Sequence, residues 1–460
     1  MLCDGSRQWA EEHFGAADLG DLRRTKRLVA VAAMMADQPS VSLPKQLVKW
    51  ADLKAAYRLF DGDQVTFEAV AQPHYERRHR CGPRRCLIVS DTTELNFTWK
   101  RQIPDLGFLG KGQGYGFLLH SALMLAEDGQ VIGLAGQKLM CRQRKKKRTR
   151  TQALQQPRES QLWTQVIDAV GPPPPESQWI HVADRGADNF EVYHQCCRQH
   201  CDWVIRARCL KRQLLFPDDE SHALQAELPR LRVVGEYSLP VRSREKRARD
   251  VARPAHTALL QVSIGTCRMP PPRLRSADLK SQDLVPIPMQ IVHVREIDPP
   301  DPKAAINWVL YTSLPVATFA DAQSIIEAYQ KRWSIEEWHK CLKTGCRVTK
   351  RQLQSRERLE PLIALLSIQA VRLLGLKHLA RHAPDTPARN CVPERHLDVL
   401  SRRTNRPAKD WTIHEFIREV AGLGGFLKRK HDGQPGWQTI WHGWQYLMKL
   451  SEGYQLANPP

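Results

Sequence analysis

Two short apolar runs that each close on an aspartate are the strongest constraint on this chain. Cys86-Leu87-Ile88-Val89-Ser90 leads into Asp91, and Trp179-Ile180-His181-Val182-Ala183 leads into Asp184. Runs of this length predict buried strands, each delivering an acid at its end. One such acid is weak evidence, because aspartates after apolar runs are commonly helix caps or turn formers. A pair of them asks for a partner elsewhere in the chain.

The segment Asp321–Lys343 supplies one. Its spacing predicts a continuous helix on which Tyr329, Arg332, Glu336 and Lys343 lie at offsets 0, 3, 7 and 14. At about 100° per residue they fall within about 60° of one another, a single polar stripe. Ile335, Trp338 and Leu342 lie off that stripe and can anchor the helix in a core. Taken alone, the stripe reads equally as a solvated face with an Arg332–Glu336 pair. Two strand-end aspartates followed by a helical glutamate, however, are the layout an RNase H-like nuclease requires. Phosphodiester chemistry of that kind uses two Mg²⁺ ions roughly 3.5–4 Å apart. Two or three carboxylates suffice to hold them, since Mg²⁺ prefers oxygen ligands and keeps several waters.

Charge points the same way. The net charge is +20 over 460 residues, and Lys and Arg recur along the whole chain, in 23–27, 142–150, 242–249 and 428–430. Such an excess suggests a polyanionic partner, with a solubilising surface as the bland alternative. The run Arg142–Arg150 reads as a loop too charged to pack, either a target-DNA arm or a disordered segment. Hydrophobic residues make up 42%, which excludes a disordered chain. No apolar stretch of 18 residues lacks a charge; the most hydrophobic, Leu362–Leu376, contains Gln369 and Arg372 and reads as a buried helix, with no membrane partner expected. The N-terminus lacks signal-peptide character, so the twelve cysteines are expected to be reduced thiols inside a cell. His194, Cys196, Cys197, His200 and Cys201 have zinc-ligand types but crowd one helical segment. A structural zinc needs ligands from two elements, which argues against that reading.

The fold class expected is α/β (α+β). Residues 1–70 read as helical, with an amphipathic basic helix over Arg23–Met35 and another over about Lys45–Phe60. Phe117–Leu125 and Val131–Met140 form a hairpin about Asp128-Gly129. Helices are expected over Ser160–Val170 and about Asn189–His200. Strands are expected at Trp203–Arg208, Arg232–Leu239, Ala258–Thr266, Met289–Val294 and Asn307–Ser313, with Pro270–Pro272 and Pro299–Pro302 as interruptions. From about Glu357 the chain is helical again.

The motif Tyr329-x2-Arg332-x3-Glu336-x6-Lys343 resembles the Tyr-Arg-Glu-Lys signature of one group of bacterial DDE insertion-sequence transposases, the group containing the Tn-five transposase. The resemblance extends in order to Leu19-Gly20-Asp21-Leu22-Arg23-Arg24-Thr25, Ala56-Tyr57-Arg58, Ser90-Asp91-Thr92-Thr93, Ala183-Asp184-Arg185-Gly186-Ala187-Asp188 and Asp432-Gly433-x-Pro435-Gly436-Trp437. Gly186 departs from it, standing where a larger residue is usual.

The resemblance implies a three-part protein. Residues 1–70 would bind double-stranded transposon-end DNA through Arg23, Arg24, Arg27 and Arg58. Residues 71–365 would form an RNase H-like catalytic domain with a β-rich insertion at about 205–310, and 366–460 a helical dimerisation domain. Asp91, Asp184 and Glu336 would be the catalytic metal ligands for two Mg²⁺ ions, with Mn²⁺ as a substitute. Tyr329, Arg332 and Lys343 would grip phosphates. Trp308 would stack on a flipped base, and Arg206 and Arg208 would contact DNA; by residues alone, a lone strand tryptophan such as Trp308 is more often core, and the two arginines read equally as one exposed strand face. The implied reaction is cut-and-paste transposition by a homodimer in a synaptic complex: a nick, a hairpin, hairpin opening and strand transfer to target DNA. The implied setting is the bacterial cytoplasm, in association with the nucleoid. Two other readings stand beside it, a DNA-binding protein without catalysis and a nuclease that cuts without joining. The first has no need of the three acids.

Overall fold

The computed structural model describes the chain apart from residues 1–4, 99–102, 104, 111–113, 143–148, 150–157, 242, 244–251, 276–278, 281, 430–431 and 458–460. Most of the basic runs at 142–150 and 242–249 therefore lie outside the described residues.

The chain begins with helices α1 (Gly5–Phe14), α2 (Leu22–Asp37), α3 (Leu43–Gln46), α4 (Trp50–Phe60) and α5 (Phe67–Cys81). Strands β1 (Arg85–Asn96), β2 (Gly107–Leu109), β3 (Gly114–Ala126) and β4 (Val131–Met140) follow. Next come α6 (Gln161–Val170), β5 (Gln178–Ala183), α7 (Phe190–Arg198) and β6 (Asp202–Arg206). Strands β7 (Gln213–Leu215), β8 (Ser221–Ala223), β9 (Arg232–Val241), β10 (His256–Met269), β11 (Ile287–Ile297) and β12 (Asn307–Thr312) complete the β-rich stretch. The remainder is helical: α8 (Phe319–Gln330), α9 (Trp333–Lys340), α10 (Arg356–His382), α11 (Glu394–Thr404), α12 (Ile413–Leu423) and α13 (Trp437–Ala457). These elements group into two compact units, one of Met1–Gly82, Thr92–Arg144 and Ser334–Pro460, the other of Pro83–Asp91 and Lys145–Trp333.

In the first unit, Asp21 caps α2 by accepting from the Arg23 N–H at 2.8 Å, and Gly20 enters that turn with φ +72°. A cap of this kind contributes about 1 kcal/mol. The buried face of α2 is Leu28, Val29, Val31, Ala32 and Met35, one helical stripe. The single helix expected over Lys45–Phe60 is two. Pro44 starts α3 in the first turn, where a missing N–H costs nothing, and at Leu47 the backbone leaves helical geometry with its side chain buried. The hairpin β3–β4 turns at Gly129 (φ +94°), as its Asp-Gly pair predicts.

The core of this unit is α10. Its side chains from Leu362 to Val371 are all buried, and it packs on α5, β4 and α12. It is long and apolar enough to cross a membrane, but here its most apolar stretch is buried inside the protein. Of the polar residues that interrupt it, Gln369 donates to the Met35 carbonyl at 2.6 Å, while its Oε1 is buried without a partner.

In the second unit, β1 pairs in parallel with β5 from Arg85↔Gln178 to Ser90↔Ala183, and β5 pairs in parallel with β6. From β6 the sheet continues antiparallel through β12, β11 and β10, which carries β9 and the β7–β8 hairpin. The proline clusters flank β10 and β11 as expected. Strands β7 and β8, three residues each, are too short to show a period in sequence. One boundary differs: β1 does not stop at Asp91 but runs on to Asn96. Its pairing with β5 ends at Ser90, its other neighbour is β3, and just past its end the Phe97 N–H donates to the Tyr115 carbonyl, so the acid sits within a strand rather than at its end.

Candidate active site

The parallel ladder fixes the two aspartates. Ser90 registers with Ala183, and the residues that follow along the two chains are Asp91 and Asp184, both half-buried. The ladder itself ends at Ser90↔Ala183, so Asp91 continues β1 while Asp184 is the first residue past β5. After Asp184 the chain turns at once. Asp184 caps the short turn Arg185–Ala187, its Oδ1 accepting from the Gly186 N–H at 2.7 Å. A Cβ on Gly186 would approach Asp184 Oδ1 to 3.0 Å and Trp163 to 3.1 Å. The glycine that departs from the transposase pattern thus lies hard against the second acid.

The end of that turn is anchored by Asp188, whose side chain is buried. It accepts from the Tyr193 hydroxyl at 2.9 Å, the Arg208 N–H at 2.7 Å and Arg212 Nη1 at 2.7 Å. This hub ties the Asp184 turn to the chain leaving β6. Nothing in the strand patterning points to Asp188; its sequence signals are its place four residues after Asp184 and at the end of the Ala183–Asp188 motif.

Arg206 and Arg208 do not share a strand face. Strand β6 ends at Arg206, and the chain turns away so that Arg208 is exposed while Arg206 is half-buried. Arg206 donates to the Asn307 carbonyl at 2.9 Å. Burial lowers the Arg206 pKa, the Tyr329 hydroxyl works against that shift, and the guanidiniums of Arg185 and Arg332 add to it. Arg185 and Arg332 are thus near enough to Arg206 to act on it, and like charges gathered in this way favour a bound anion. Arg185 is a member of that group which sequence reasoning missed. Trp308 packs edge-on against Tyr329 with ring centroids 5.6 Å apart and is half-buried.

The stripe expected on one long helix is not continuous. Helix α8 ends at Gln330, and Lys331 and Arg332 form a turn in which the Arg332 N–H bonds to the Tyr329 carbonyl. Arg332 is turned inward, 7% exposed, with its guanidinium 4.8 Å from the ring centre of the exposed Trp333. Helix α9 starts afresh at Trp333 and passes at Cys341 into a π turn, Cys341–Gly345, that carries Lys343. Both breaks shift the helical phase, so the 100° arithmetic does not carry from Tyr329 to Lys343.

In the first unit, Glu336 lies in the first turn of α9 and is half-buried, as is Lys343. Ile335, Trp338 and Leu342 are fully buried, the anchoring role the sequence predicts. His339 is pushed down to about 3 by burial, with Lys343 and His120 adding to the shift, so it is neutral at physiological pH.

The N-terminal arginines are held by local partners. Arg23 pairs with Asp21 at 2.8 Å, Arg27 with Asp52 at 3.0 Å, and Arg24 bonds to the Leu19 carbonyl and Gln64. Arg58 is exposed on α4. In the cysteine–histidine segment, Cys196 and Cys201 are buried thiols pushed up by burial, Cys201 to about 12, while Cys197 is exposed. Elsewhere Asp218, Glu220 and His222 bring ligand atoms within 4.8 Å of one another. They sit around the exposed β7–β8 turn, where His222 stands 3.4–3.5 Å from both acids.

Three families match the chain in sequence order. A transposase DNA-binding family matches residues 6–65, a transposase DDE domain 151–370, and the transposase Tn5 dimerisation domain 368–459. The chain belongs to the DDE transposases of the Tn5 type. As such it carries out cut-and-paste transposition, its catalytic core is RNase H-like, and its chemistry is metal-dependent DNA cleavage and strand transfer. Its partners are DNA and a second copy of itself.

Proposed function

We propose that Asp91, Asp184 and Glu336 hold two Mg²⁺ ions, with Mn²⁺ able to replace them, and that this transposase cuts its ends through a hairpin before joining them to target DNA. The observation that supports the reading is the register of β1 on β5, whose last pair, Ser90↔Ala183, immediately precedes Asp91 and Asp184. The donors fit the metal: half-buried carboxylates offer a hard cation oxygen ligands while leaving room for water. When bound, such ions supply an activated attacking oxygen and stabilise the leaving one.

The residues of the chain do the rest. The Gly186 N–H orients one oxygen of Asp184. Arg206, Arg332 and Tyr329, with Lys343, grip the phosphates flanking the scissile bond, and Arg185 joins them. Charge-assisted hydrogen bonds of this kind contribute about 1.5–3 kcal/mol each. Trp308 offers its ring to a base turned out of the duplex, where stacking contributes about 1–3 kcal/mol. Arg208 contacts the backbone nearby. Arg23, Arg24, Arg27 and Arg58 bind the transposon end within residues 1–70, while 71–365 catalyse and 366–460 pair two protomers in a synaptic complex. The setting is the bacterial cytoplasm, on the nucleoid.

The test is direct. Purified protein is incubated with Mg²⁺ and duplex DNA carrying its own element's end, and products are resolved under denaturing conditions. Nicked and hairpin species that vanish in Asp184→Ala support the proposal. Equal products from both proteins refute it, and nicks without hairpins or joined products mark a plain nuclease.

A further inference from the structure

Glu337 follows Glu336 on α9, about 100° further round the helix. Its Oε1 accepts from Lys377 Nζ at 2.5 Å, and His378 Nε2 stands 3.8 Å from Oε2. Both partners belong to α10, the apolar core helix of the same unit. The Lys377 side chain is only 2% exposed and that of Glu337 30%.

A buried ion pair is a poor source of stability, because desolvation offsets most of the attraction and apolar residues of similar size often serve as well. It does fix geometry. Helix α9 has eight residues, bounded by the Lys331–Arg332 turn before it and the π turn after it. A helix so short, broken at both ends, relies on its side chains to hold its rotation, the buried Ile335 and Trp338 among them. One further tie joins it to α10, the Trp338 Nε1–H donating to the Ser367 carbonyl at 3.3 Å. Glu337 and Trp338 thus grip α10 at two successive residues of α9.

We infer that the Glu337–Lys377 ion pair is the positioning lock for Glu336, setting the rotation and height at which α9 presents its carboxylate. The inference rests on Glu336 being a metal ligand. A carboxylate about 6 Å from a helix axis moves roughly 2 Å for a 20° roll. Misplacement of about 1 Å can cost about 10²-fold in rate. The pair acts through Glu336 and touches neither metal nor DNA.

The test uses the full-length chain as Glu337→Gln, Lys377→Met, Lys377→Arg and Glu336→Ala. Each is assayed for cleavage of end DNA across a Mn²⁺ titration, for end binding in EDTA, and for thermal melting. The expected result is that Glu337→Gln and Lys377→Met keep EDTA binding within about twofold, while cleavage falls about 10–100-fold and half-maximal activity needs more Mn²⁺. Lys377→Arg, which preserves the pair, stays near wild type. Wild-type cleavage and Mn²⁺ dependence in Glu337→Gln and Lys377→Met, with Glu336→Ala inactive, overturn the lock and leave the ligand reading intact. Melting and binding that fall in step with cleavage reduce the pair to a structural role and also overturn it. Wild-type cleavage by Glu336→Ala overturns the ligand reading itself.

Discussion

The two units support their acids in different ways. Asp91 and Asp184 are set by a parallel ladder of six registered pairs, Arg85↔Gln178 to Ser90↔Ala183. Hydrogen bonds between strands fix such positions whatever the nearby side chains, and a one-residue slip would turn every side chain to the other face. Glu336 instead rides an eight-residue helix whose placement depends on side chains, the Trp338 indole and the Glu337 carboxylate gripping α10. Backbone sets the first pair and packing sets the third, so the third should be the easier to disturb from a distance.

Removing the acids themselves gives the largest effect. Asp91→Ala, Asp184→Ala and Glu336→Ala should each reduce end cleavage to background in a denaturing-gel assay, while a gel shift in EDTA stays unchanged. Unequal loss, with Glu336→Ala retaining substantial cleavage, would break the comparison. Next is the packing beneath α9. Trp338→Ala empties a fully buried site and should cost about 3–5 kcal/mol, read as a lowered melting temperature, with cleavage lost alongside.

Arg206→Ala removes one member of the group around Tyr329. It should slow cleavage roughly 10–100-fold, the rate equivalent of about 1.5–3 kcal/mol, with little change in end binding. Gly186→Ala should act more mildly, a several-fold loss as Asp184 Oδ1 yields a few tenths of an ångström. Unchanged activity would show that the turn accommodates the methyl group.

How much of this was legible in sequence follows the same division. The strands beneath Asp91 and Asp184 were, because a buried parallel strand writes itself as a continuous apolar run. The continuation of β1 past Asp91 was not, because Thr92-Thr93-Glu94 carries no apolar run to mark it. The helix around Glu336 was expected, and its buried residues Ile335, Trp338 and Leu342 with it. Its two breaks were not: no Pro or Gly marks Lys331–Arg332 or Cys341, and the interruptions are set by burial of Arg332 and by packing on α10. The grouping of Arg185 with Arg206 and Arg332 needs the fold, since those residues come from a turn, a strand end and a helix junction. The opposite case is the N-terminal arginines, prominent in sequence yet held by Asp21, Asp52 and Gln64.

The smallest expected effect concerns acid. His181, buried on β5 within the ladder, is pushed down to about 4 by burial, so the fold favours its neutral form. A depressed histidine contributes stability that is present above its unfolded value of about 6.5 and lost as pH falls from there toward about 4. Melting temperature should therefore decline across that window. His181→Leu, which cannot be protonated, should flatten part of the decline; an unchanged slope would place the sensitivity in other buried histidines.

The most direct test of the central claim is to let the metal report its own position. Fe²⁺ is substituted for Mg²⁺ in the full-length protein, and ascorbate and peroxide generate radicals that cut the backbone beside the bound ion. Asp91, Asp184 and Glu336 as ligands predict fragments ending near residues 91, 184 and 336, all lost in Asp184→Ala and in excess Mg²⁺. Cutting confined to residues 218–222, where Asp218, Glu220 and His222 gather on the exposed turn, would contradict it.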